Sequence, residues 1–244
     1  MNYNWDFLVL FRPSVTGEGF YWQLMLSGLG WTVLLSLVAW VLALALAVVL
    51  GVARSLPFLP GRWFSATFVH CFRNVPLLVQ VFLWFFVFPE LLPERWGMAI
   101  KELNPTLNQF LTLLIALSLY SAAKAAELIR AGINSIPKGQ MQAAQALGLG
   151  LTTTYRDVIL PQVFRIILPP LTSDFLSVFK NSAVALTIGL MELTGRARQI
   201  SEFSSQPFET FIAATVLYVL ISIAVIYFMR WLENKTRVPG YLNS

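Results

Sequence analysis

The stretch SAAKAAELIRAGINSIPKGQMQAAQALGLGLTTTYRDVILP, residues 121–161, decides how the rest of the chain is interpreted. It begins at the end of an apolar run, carries a charged patch and breaks at residues 135–137, where the sequence reads Ser-Ile-Pro. A helix rich in alanine and glutamine is predicted over residues 138–147 and ends at Gly148. A second apolar run begins after Pro161. A polar segment with this much predicted structure, between two membrane-length runs, is typical of a docking surface rather than of a linker.

The composition predicts a membrane protein. Of the 244 residues, 57% are hydrophobic and only 12% are charged, and the mean hydropathy is +0.68. Soluble domains carry about 25% charged residues. In a membrane protein, a net charge of +5 is explained by lysines and arginines in the cytoplasmic loops, which set the orientation of the chain in the membrane. We therefore expect a lipid bilayer around the protein and no nucleic-acid partner.

The apolar runs predict about five transmembrane helices, because a helix needs about 20 mostly apolar residues to cross a bilayer. The predicted spans are approximately residues 26–53, 64–88, 109–129, 166–190 and 210–229. The predicted organisation is an N-terminal segment of residues 1–25, a transmembrane domain of residues 26–232 with a polar loop at about 134–161, and a tail of residues 233–244. The fold class is therefore an all-α membrane protein.

The distribution of lysine and arginine predicts the orientation. Basic residues concentrate after the first and third predicted spans and in the tail, whereas the segment before the first span and the loop after the second are slightly acidic. Basic loops stay in the cytoplasm. We expect the N-terminus in the periplasm, and the C-terminus and the polar loop in the cytoplasm.

Several kinds of chemistry are excluded by residues that the sequence lacks. There is no G-x-x-x-x-G-K-[ST] motif, so the chain has no Walker loop for ATP. His70 and Cys71 are the only histidine and cysteine, which excludes a histidine metal site, a Ser-His-Asp triad and an internal disulfide. An intramembrane enzyme would need such a constellation, so we predict no catalytic residue and no metal site.

Charged and amide side chains inside the predicted spans are candidates for a substrate pathway, because such groups face a cavity or a partner. The candidates are Arg73, Asn74, Lys124, Glu127, Asp174, Lys180, Asn181 and Ser182. Pairing between helices that only fixes the bundle is the equal alternative. Arg73, three residues before Pro76, predicts a distorted helix with a buried arginine. Lys124, Glu127 and Arg130 follow at intervals of three and are predicted to pair along one helix.

The predicted helix of residues 138–147 places Met141, Ala144 and Leu147 on one apolar face. Such a face fits a groove in another protein. It also fits the surface of a bilayer, and the periodicity alone leaves both interpretations open.

Several motifs carry a resemblance to a known family. Gln142-Ala143-Ala144, Gly148 and the run Val158 to Pro161 have the spacing of the EAA loop of ABC-importer permeases, EAA-x3-G-x9-I-x-LP. The sequence departs from that pattern at Gln142, which replaces Glu, and at Val158, which replaces Ile. Four further blocks resemble motifs of polar amino-acid permeases: RNVPLLVQ at 73–80, AELIRAGI at 126–133, SIPKGQ at 135–140 and KNS at 180–182. The chain is identified as a member of the permease subunits of polar amino-acid ABC importers.

The resemblance implies the type I importer transmembrane fold in a bacterial inner membrane. It also implies three partners: a cytoplasmic ATPase dimer that uses ATP and Mg, a second permease subunit (a homologous chain or a second copy), and a periplasmic amino-acid-binding protein. This chain itself would bind no cofactor. Helix 138–147 would be the coupling helix that docks on the ATPase. The residues assigned to this coupling are Lys138, Gly139, Gln142, Ala143, Ala144, Leu147, Gly148, Leu160 and Pro161.

The substrate follows from a narrower resemblance, to glutamate/aspartate permeases. It rests on Asn4-Trp5, FRNVPL at 72–77, PELLPE at 89–94, VPG at 238–240 and a cation at Lys124. A fixed cation offsets an anionic substrate where water is scarce, so acidic amino acids are the predicted substrates. The alternatives are an importer of other polar amino acids, such as glutamine or basic ones, and a secondary transporter that works without ATP.

Overall fold

The computed structural model describes residues 3–56 and 58–236. Residues 1–2 of the predicted N-terminal segment and residues 237–244 of the predicted tail, including the VPG motif, lie outside the described residues. Before the first long helix, the chain forms a 3-10 helix, Phe7–Phe11, and a single antiparallel bridge between Pro13 and Phe20.

Helices make up most of the described chain, which confirms the all-α prediction. The α-helices are α1 Tyr21–Ser55, α2 Leu59–Asn74, α3 Leu77–Phe82, α4 Phe88–Leu91, α5 Glu94–Lys101, α6 Pro105–Ser135, α7 Lys138–Ala146, α8 Leu151–Thr153, α9 Leu160–Asn181, α10 Leu193–Ser204 and α11 Pro207–Thr236. Two π-helical turns, Leu83–Val87 and Thr154–Ile159, join α3 to α4 and α8 to α9. A 3-10 helix, Ser182–Ile188, continues α9.

Three helices, α1, α6 and α11, are long and apolar enough to cross a membrane. Two further stretches pass the same test only as bent pairs. The pair Leu59–Asn74 and Leu77–Leu91 bends by 103°, and the pair Leu151–Ile188 and Leu193–Ser204 bends by 49°. By length and composition, the described chain therefore has three helices able to span a membrane, or up to five if each bent pair is one span. The upper value equals the predicted number.

The predicted second span, residues 64–88, is not one continuous helix but falls in two helices that pass the test for a span only together. Helix α2 ends at Asn74 and Val75 is extended, with φ −89° and ψ 128°. Pro76 explains the break, because proline disfavours helical backbone in the residue before it. The distortion expected next to Pro76 is thus confirmed. Arg73 lies in the last turn of α2 and is exposed, not buried within a span.

The described residues divide into two units, and each has its own packing. Unit 1 comprises residues 3–40, 76–118 and 177–223. In unit 1 the buried side chains of Val9, Tyr21, Leu24 and Met25 pack with Leu193, Ala197, Ile200 and Ala214. The N-terminal segment therefore contributes to the apolar core of this unit.

Unit 2 comprises residues 41–75, 119–176 and 224–236. Its helices approach closely at glycines. A Cβ atom at Gly51 of α1 would lie 2.7 Å from Cγ2 of Ile129 on α6, and one at Gly132 of α6 would lie 2.6 Å from Cγ2 of Ile167 on α9. Small residues let membrane helices pack backbone to backbone. This packing brings the charged side chains of α1, α6 and α9 within reach of one another.

Candidate functional site

Helix α7, the predicted coupling helix, has well-defined ends. Pro137 precedes it in an extended conformation, with φ −57° and ψ 133°, and a proline there sacrifices no hydrogen bond of the helix. At the other end Gly148 has φ +75°, and the N–H of Leu149 donates to the carbonyl of Ala144 at 3.1 Å. A left-handed residue at this position is the usual glycine ending of a helix. The helix stops at Ala146, one residue before the predicted end, and the closure by Gly148 is confirmed.

One side of α7 packs against the rest of the chain, and the other side is exposed. Ala144 is buried, and α7 contacts the π-helical turn Thr154–Ile159, in which Tyr155 and Ile159 are buried. Leu147 is 80% exposed. The predicted face of Met141, Ala144 and Leu147 is therefore not one docking face. The chain covers Ala144 itself and leaves Leu147 uncovered.

Most of the predicted coupling residues are exposed around this point. Exposed members of the set are Lys138, Gly139, Gln142, Ala143, Leu147, Gly148 and Pro161, and Leu160 is half-buried. At Gly139 and Gly148 a Cβ atom would meet nothing within 4 Å. The loop therefore presents a short helix with an open, largely uncharged surface.

The three-residue interval predicts that Lys124 pairs with Glu127. In the structure Lys124 pairs with Asp174 instead. The Lys124 Nζ lies 3.4 Å from Asp174 Oδ1, and the two side chains are 33% and 18% exposed. Close packing of α6 on α9 explains the choice of partner. The Lys124 ammonium also lies 5.7 Å from the ring centroid of Tyr120, within range of a cation–π interaction. Because this half-buried pair contains both a cation and an anion, it can form an ion pair with a substrate group of either charge.

Glu127 holds two guanidinium groups. Its Oε2 accepts from Arg54 Nη1 at 2.5 Å, which ties α1 to α6, and its Oε1 accepts from Arg130 at 2.5 Å. The predicted pairing of Glu127 with Arg130 is confirmed. Because both Glu127 oxygens are engaged by arginines, this group fits the interpretation of pairing between helices that fixes the bundle.

The other predicted pathway residues lie at two breaks in the helices. Arg73 and Asn74 end α2 beside the 103° bend. Lys180 and Asn181 end α9, where the chain changes to the 3-10 helix that begins with Ser182.

Lys180 is exposed and lines a cavity of about 270 Å³ in unit 1, together with Ala183, Thr215, Tyr218, Val219 and Ser222. Ser182 is fully buried and donates to the carbonyl of Phe179 at 2.7 Å.

Sequence reasoning missed a buried carboxylate in the same unit. Glu192 is 0% exposed and accepts hydrogen bonds from the N–H of Gly195 at 2.9 Å, the hydroxyl of Tyr218 at 2.9 Å and the hydroxyl of Thr32 at 3.2 Å. The signal was a single acid in the apolar run LTIGLMELTG, just beyond the predicted end of a span at residue 190. Applying the rule on intramembrane charges there would have found it.

A second buried carboxylate was also missed. Glu209 is 1% exposed, and its oxygens accept from the Tyr3 hydroxyl at 2.5 Å and from the N–H of Asp6 at 2.7 Å. It fixes the N-terminal segment to the start of α11. Its partners lie more than 200 residues away in sequence, and no local pattern indicates them.

Comparison with known proteins gives consistent matches. The family model described as "Binding-protein-dependent transport system inner membrane component" matches residues 43–238. The glutamate/aspartate import permease protein GltJ of Escherichia coli K12 is 40% identical over 247 residues and covers 100% of both chains. The arginine transport system permease protein ArtQ of Bacillus subtilis is 33% identical over 192 residues, 79% of this chain and 83% of that protein.

A solved structure agrees with the sequence matches. The crystal structure of an amino acid ABC transporter with histidines contains a chain that superposes with a TM-score of 0.78 at 27% identity. The superposition covers 96% of this chain and 100% of that one.

Proposed function

The chain belongs to the family of binding-protein-dependent transport system inner membrane components, and from this premise we propose that it forms part of the pathway of an ATP-driven importer for acidic amino acids. The membership confirms the resemblance carried by the EAA loop and by the blocks over residues 73–182. The chain is a permease subunit of an amino-acid ABC importer with the type I fold, and its role is transport rather than catalysis.

The acidic substrate rests above all on one observation, the similarity to the glutamate/aspartate permease GltJ over 100% of both chains. The Lys124–Asp174 pair supplies a chemical rationale. A carboxylate of the substrate that enters beside Lys124 competes with Asp174 for the ammonium group of Lys124. In a site with little water, the attraction between this carboxylate and the ammonium group is strong. Lys124 would then contact the side-chain carboxylate of the substrate.

A second candidate substrate class has its own support. Asp174, opposite Lys124, is suited to a cationic side chain, and the relative ArtQ is named as an arginine permease. If Asp174 makes the contact, basic amino acids are carried and Lys124 serves only to hold Asp174 in the empty state.

Docking on an ATPase is supported by helix α7. A short helix with defined ends that leaves Leu147 80% exposed fits insertion of this side chain into an apolar groove of a partner. The partner would bind ATP and Mg and hydrolyse the ATP, and this chain would bind neither. The basic loops support placing α7 in the cytoplasm and the N-terminal segment in the periplasm, where an amino-acid-binding protein delivers the substrate.

A path for coupling runs from α7 to the charge pair. Ala144 is buried where α7 meets the π-helical turn, and this turn continues directly into α9, which carries Asp174. The 14 residues between Leu160 and Asp174 span about 21 Å of helix. A displacement of α7 therefore passes into α9, whose interior prolines Pro169 and Pro170 lie between the π-helical turn and Asp174, the residue that holds Lys124.

Uptake by the reconstituted importer tests the proposal. ATP is enclosed in the vesicles, binding protein is added outside, and labelled glutamate, aspartate, glutamine and arginine are compared. We expect glutamate and aspartate to be carried, and Lys124→Gln to lower their uptake more than tenfold because the compensating cation is lost. Lys101→Gln is the matched control, since Lys101 is exposed and, within the described part of the chain, forms an ion pair only with the exposed Glu90.

Preferred uptake of arginine by the unmodified importer would exclude acidic substrates and favour the role of Asp174 instead. In that case Asp174→Asn, rather than Lys124→Gln, is the variant that abolishes uptake. Equal uptake of glutamate by Lys124→Gln and by Lys101→Gln would remove Lys124 from the pathway.

A further inference from the structure

A cavity in unit 2 combines basic and aromatic side chains that the transport role leaves unused. Its volume is about 420 Å³, and it is lined by Arg54, Leu59, Arg62, Trp63, Ala66 and Arg130. The three guanidinium groups come from three different helices: Arg54 from the last turn of α1, Arg62 from the first turn of α2 and Arg130 from α6. Positive charge is thus concentrated on one cavity by the tertiary fold.

The charges around this cavity are not balanced. Glu127 is paired with Arg54 and Arg130, while Arg62 makes no ion pair within residues 3–56 and 58–236. Three cations therefore share one carboxylate. Glu127 contacts one nitrogen of Arg54 and two of Arg130, so each of these guanidinium groups keeps N–H donors for a further acceptor. The carboxylate fixes their positions and leaves room for a second anion.

The rim of the cavity is apolar. Leu59 is 62% exposed and Trp63 is 69% exposed, and the neighbouring Phe58 and Phe64 are also exposed. Arg54 marks the end of the membrane-length helix α1, which places the cavity near the boundary between hydrocarbon and water. Tryptophan and arginine are enriched at this level, where ring and guanidinium meet lipid headgroups.

We propose that this cavity binds the headgroup phosphate of an anionic phospholipid, with the acyl chains against Leu59 and Trp63. Guanidinium groups bind phosphate oxygens through paired N–H donors. An inorganic anion would use the arginines but not the apolar rim, so the exposed Leu59 and Trp63 favour a lipid. The site acts independently of the substrate, and its test requires no transport measurement.

Lipid binding to the purified, assembled importer tests this site. Native mass spectrometry would follow titration with phosphatidylglycerol, phosphatidylcholine and inorganic phosphate. Arg62→Gln is the informative variant, because Arg62 has no ion pair among the described residues and its loss leaves the Glu127 group intact. We expect phosphatidylglycerol to bind about fivefold more weakly to this variant, the effect of one basic residue at an anionic surface.

Arg165→Gln provides the matched control. Arg165 lies in the same unit, is exposed and lines no part of this cavity, so its replacement changes net charge equally and should leave lipid binding unchanged. Trp63→Ala is expected to weaken phosphatidylglycerol binding without altering phosphate binding.

Other results would overturn the proposal. Equal weakening by Arg62→Gln and Arg165→Gln means a general charge effect, and equal binding of phosphatidylcholine means that no anionic headgroup is recognised. Phosphate binding that resists Trp63→Ala, without preference for phosphatidylglycerol, assigns the cavity to an inorganic anion. If Arg62→Gln dissociates a second permease subunit and leaves lipid binding intact, the cavity is a subunit contact.

Discussion

Two glutamates, Glu127 in helix α6 of unit 2 and Glu192 at the N-cap of α10 in unit 1, are accommodated in opposite ways. Glu127 is half-buried and is paired with two guanidinium groups. Glu192 is fully buried and is surrounded by neutral donors, two hydroxyls and one backbone N–H. Among the described residues, no lysine or arginine forms an ion pair with it. A buried carboxylate thus requires hydrogen bonds, but these need not come from a cation.

The difference determines what each carboxylate can do. Water and salt reach the arginines of Glu127, so its pairs contribute modestly to stability. The hydrogen bonds of Glu192 to Thr32 and to the N–H of Gly195 are buried, and each buried donor left without an acceptor costs about 1–3 kcal/mol. Glu192 should therefore stabilise its unit more than Glu127 does, although it has no charged partner.

The largest effect is expected from Glu192→Leu. This change leaves the hydroxyl of Thr32 and the N–H of Gly195 without an acceptor, while Tyr218 keeps its hydrogen bond to Thr194 at 3.0 Å. It should lower the free energy of unfolding by about 3 kcal/mol. The midpoint of thermal unfolding of the assembled importer in detergent measures it. Glu192→Gln, which keeps one carbonyl oxygen, should cost about 1 kcal/mol. Equal losses in the two variants would mean that charge, rather than hydrogen bonding, stabilises this site.

A smaller effect is expected from Glu127→Gln. The side chains of Arg54, Glu127 and Arg130 are 19–33% exposed, so the variant should lose only about 1 kcal/mol. Adding salt should narrow the difference from the unmodified protein, because salt screens accessible charges. Thermal unfolding at low and high salt checks this. A loss as large as that of Glu192→Leu, insensitive to salt, would contradict the contrast between the two glutamates.

On the surface, Leu147→Ala should affect assembly and not stability. Leu147 is 80% exposed, so its truncation leaves the unfolding midpoint unchanged and weakens ATPase binding about tenfold, as is usual for an anchoring side chain. Co-purification and titration of the ATPase measure it. Leu151→Ala, at another exposed leucine of the same loop, is the control. If both variants bind the ATPase normally, α7 is not the docking element.

The smallest effect concerns a third carboxylate, Glu209, and its partner Tyr3. Partial burial and the hydrogen bond to Glu209 raise the pKa of Tyr3 to about 12 from its ordinary value of 10.0. Because the phenol ionises at lower pH when it is released than when it is bound, attachment of the N-terminal segment is stable below pH 10 and weakens between pH 10 and 12. Cleavage of this segment by a protease active at alkaline pH should increase over that interval.

Tyr3→Phe is the control for this prediction. Without the phenol, the segment should be cleaved faster at neutral pH and show no further increase between pH 10 and 12. An unchanged pH dependence in Tyr3→Phe would mean that another group releases the segment.

Features that depend on neighbours in sequence could be predicted from the sequence. Pro137 and Gly148 act through their own backbone preferences, and these correctly placed the ends of α7 to within one residue. The pair of Glu127 and Arg130 follows from the helical interval of three. The break beside Pro76 was expected as a distortion, but its size of 103° depends on packing that no local rule contains.

Features that depend on distant neighbours could not be predicted. Lys124 had a carboxylate three residues away and nevertheless pairs with Asp174, 50 residues on, because α6 and α9 touch at Gly132. The partners of Glu192 and Glu209 lie 26 or more residues away in sequence, apart from the local N–H of Gly195. Which partner a charged side chain chooses is thus set by helix packing and not by spacing along one helix.

The π-helical turn Thr154–Ile159 also sets the direction in which the following helix points its side chains. A π-helical turn contains one residue more than a turn of regular α-helix. In an α-helix, successive residues are related by a rotation of about 100° around the helix axis. Removing one residue from this turn would restore a regular helix and rotate Asp174 by about 100° around the axis of α9, away from Lys124. The number of residues in this π-helical turn therefore determines the angular position of a charge about 21 Å further along the helix.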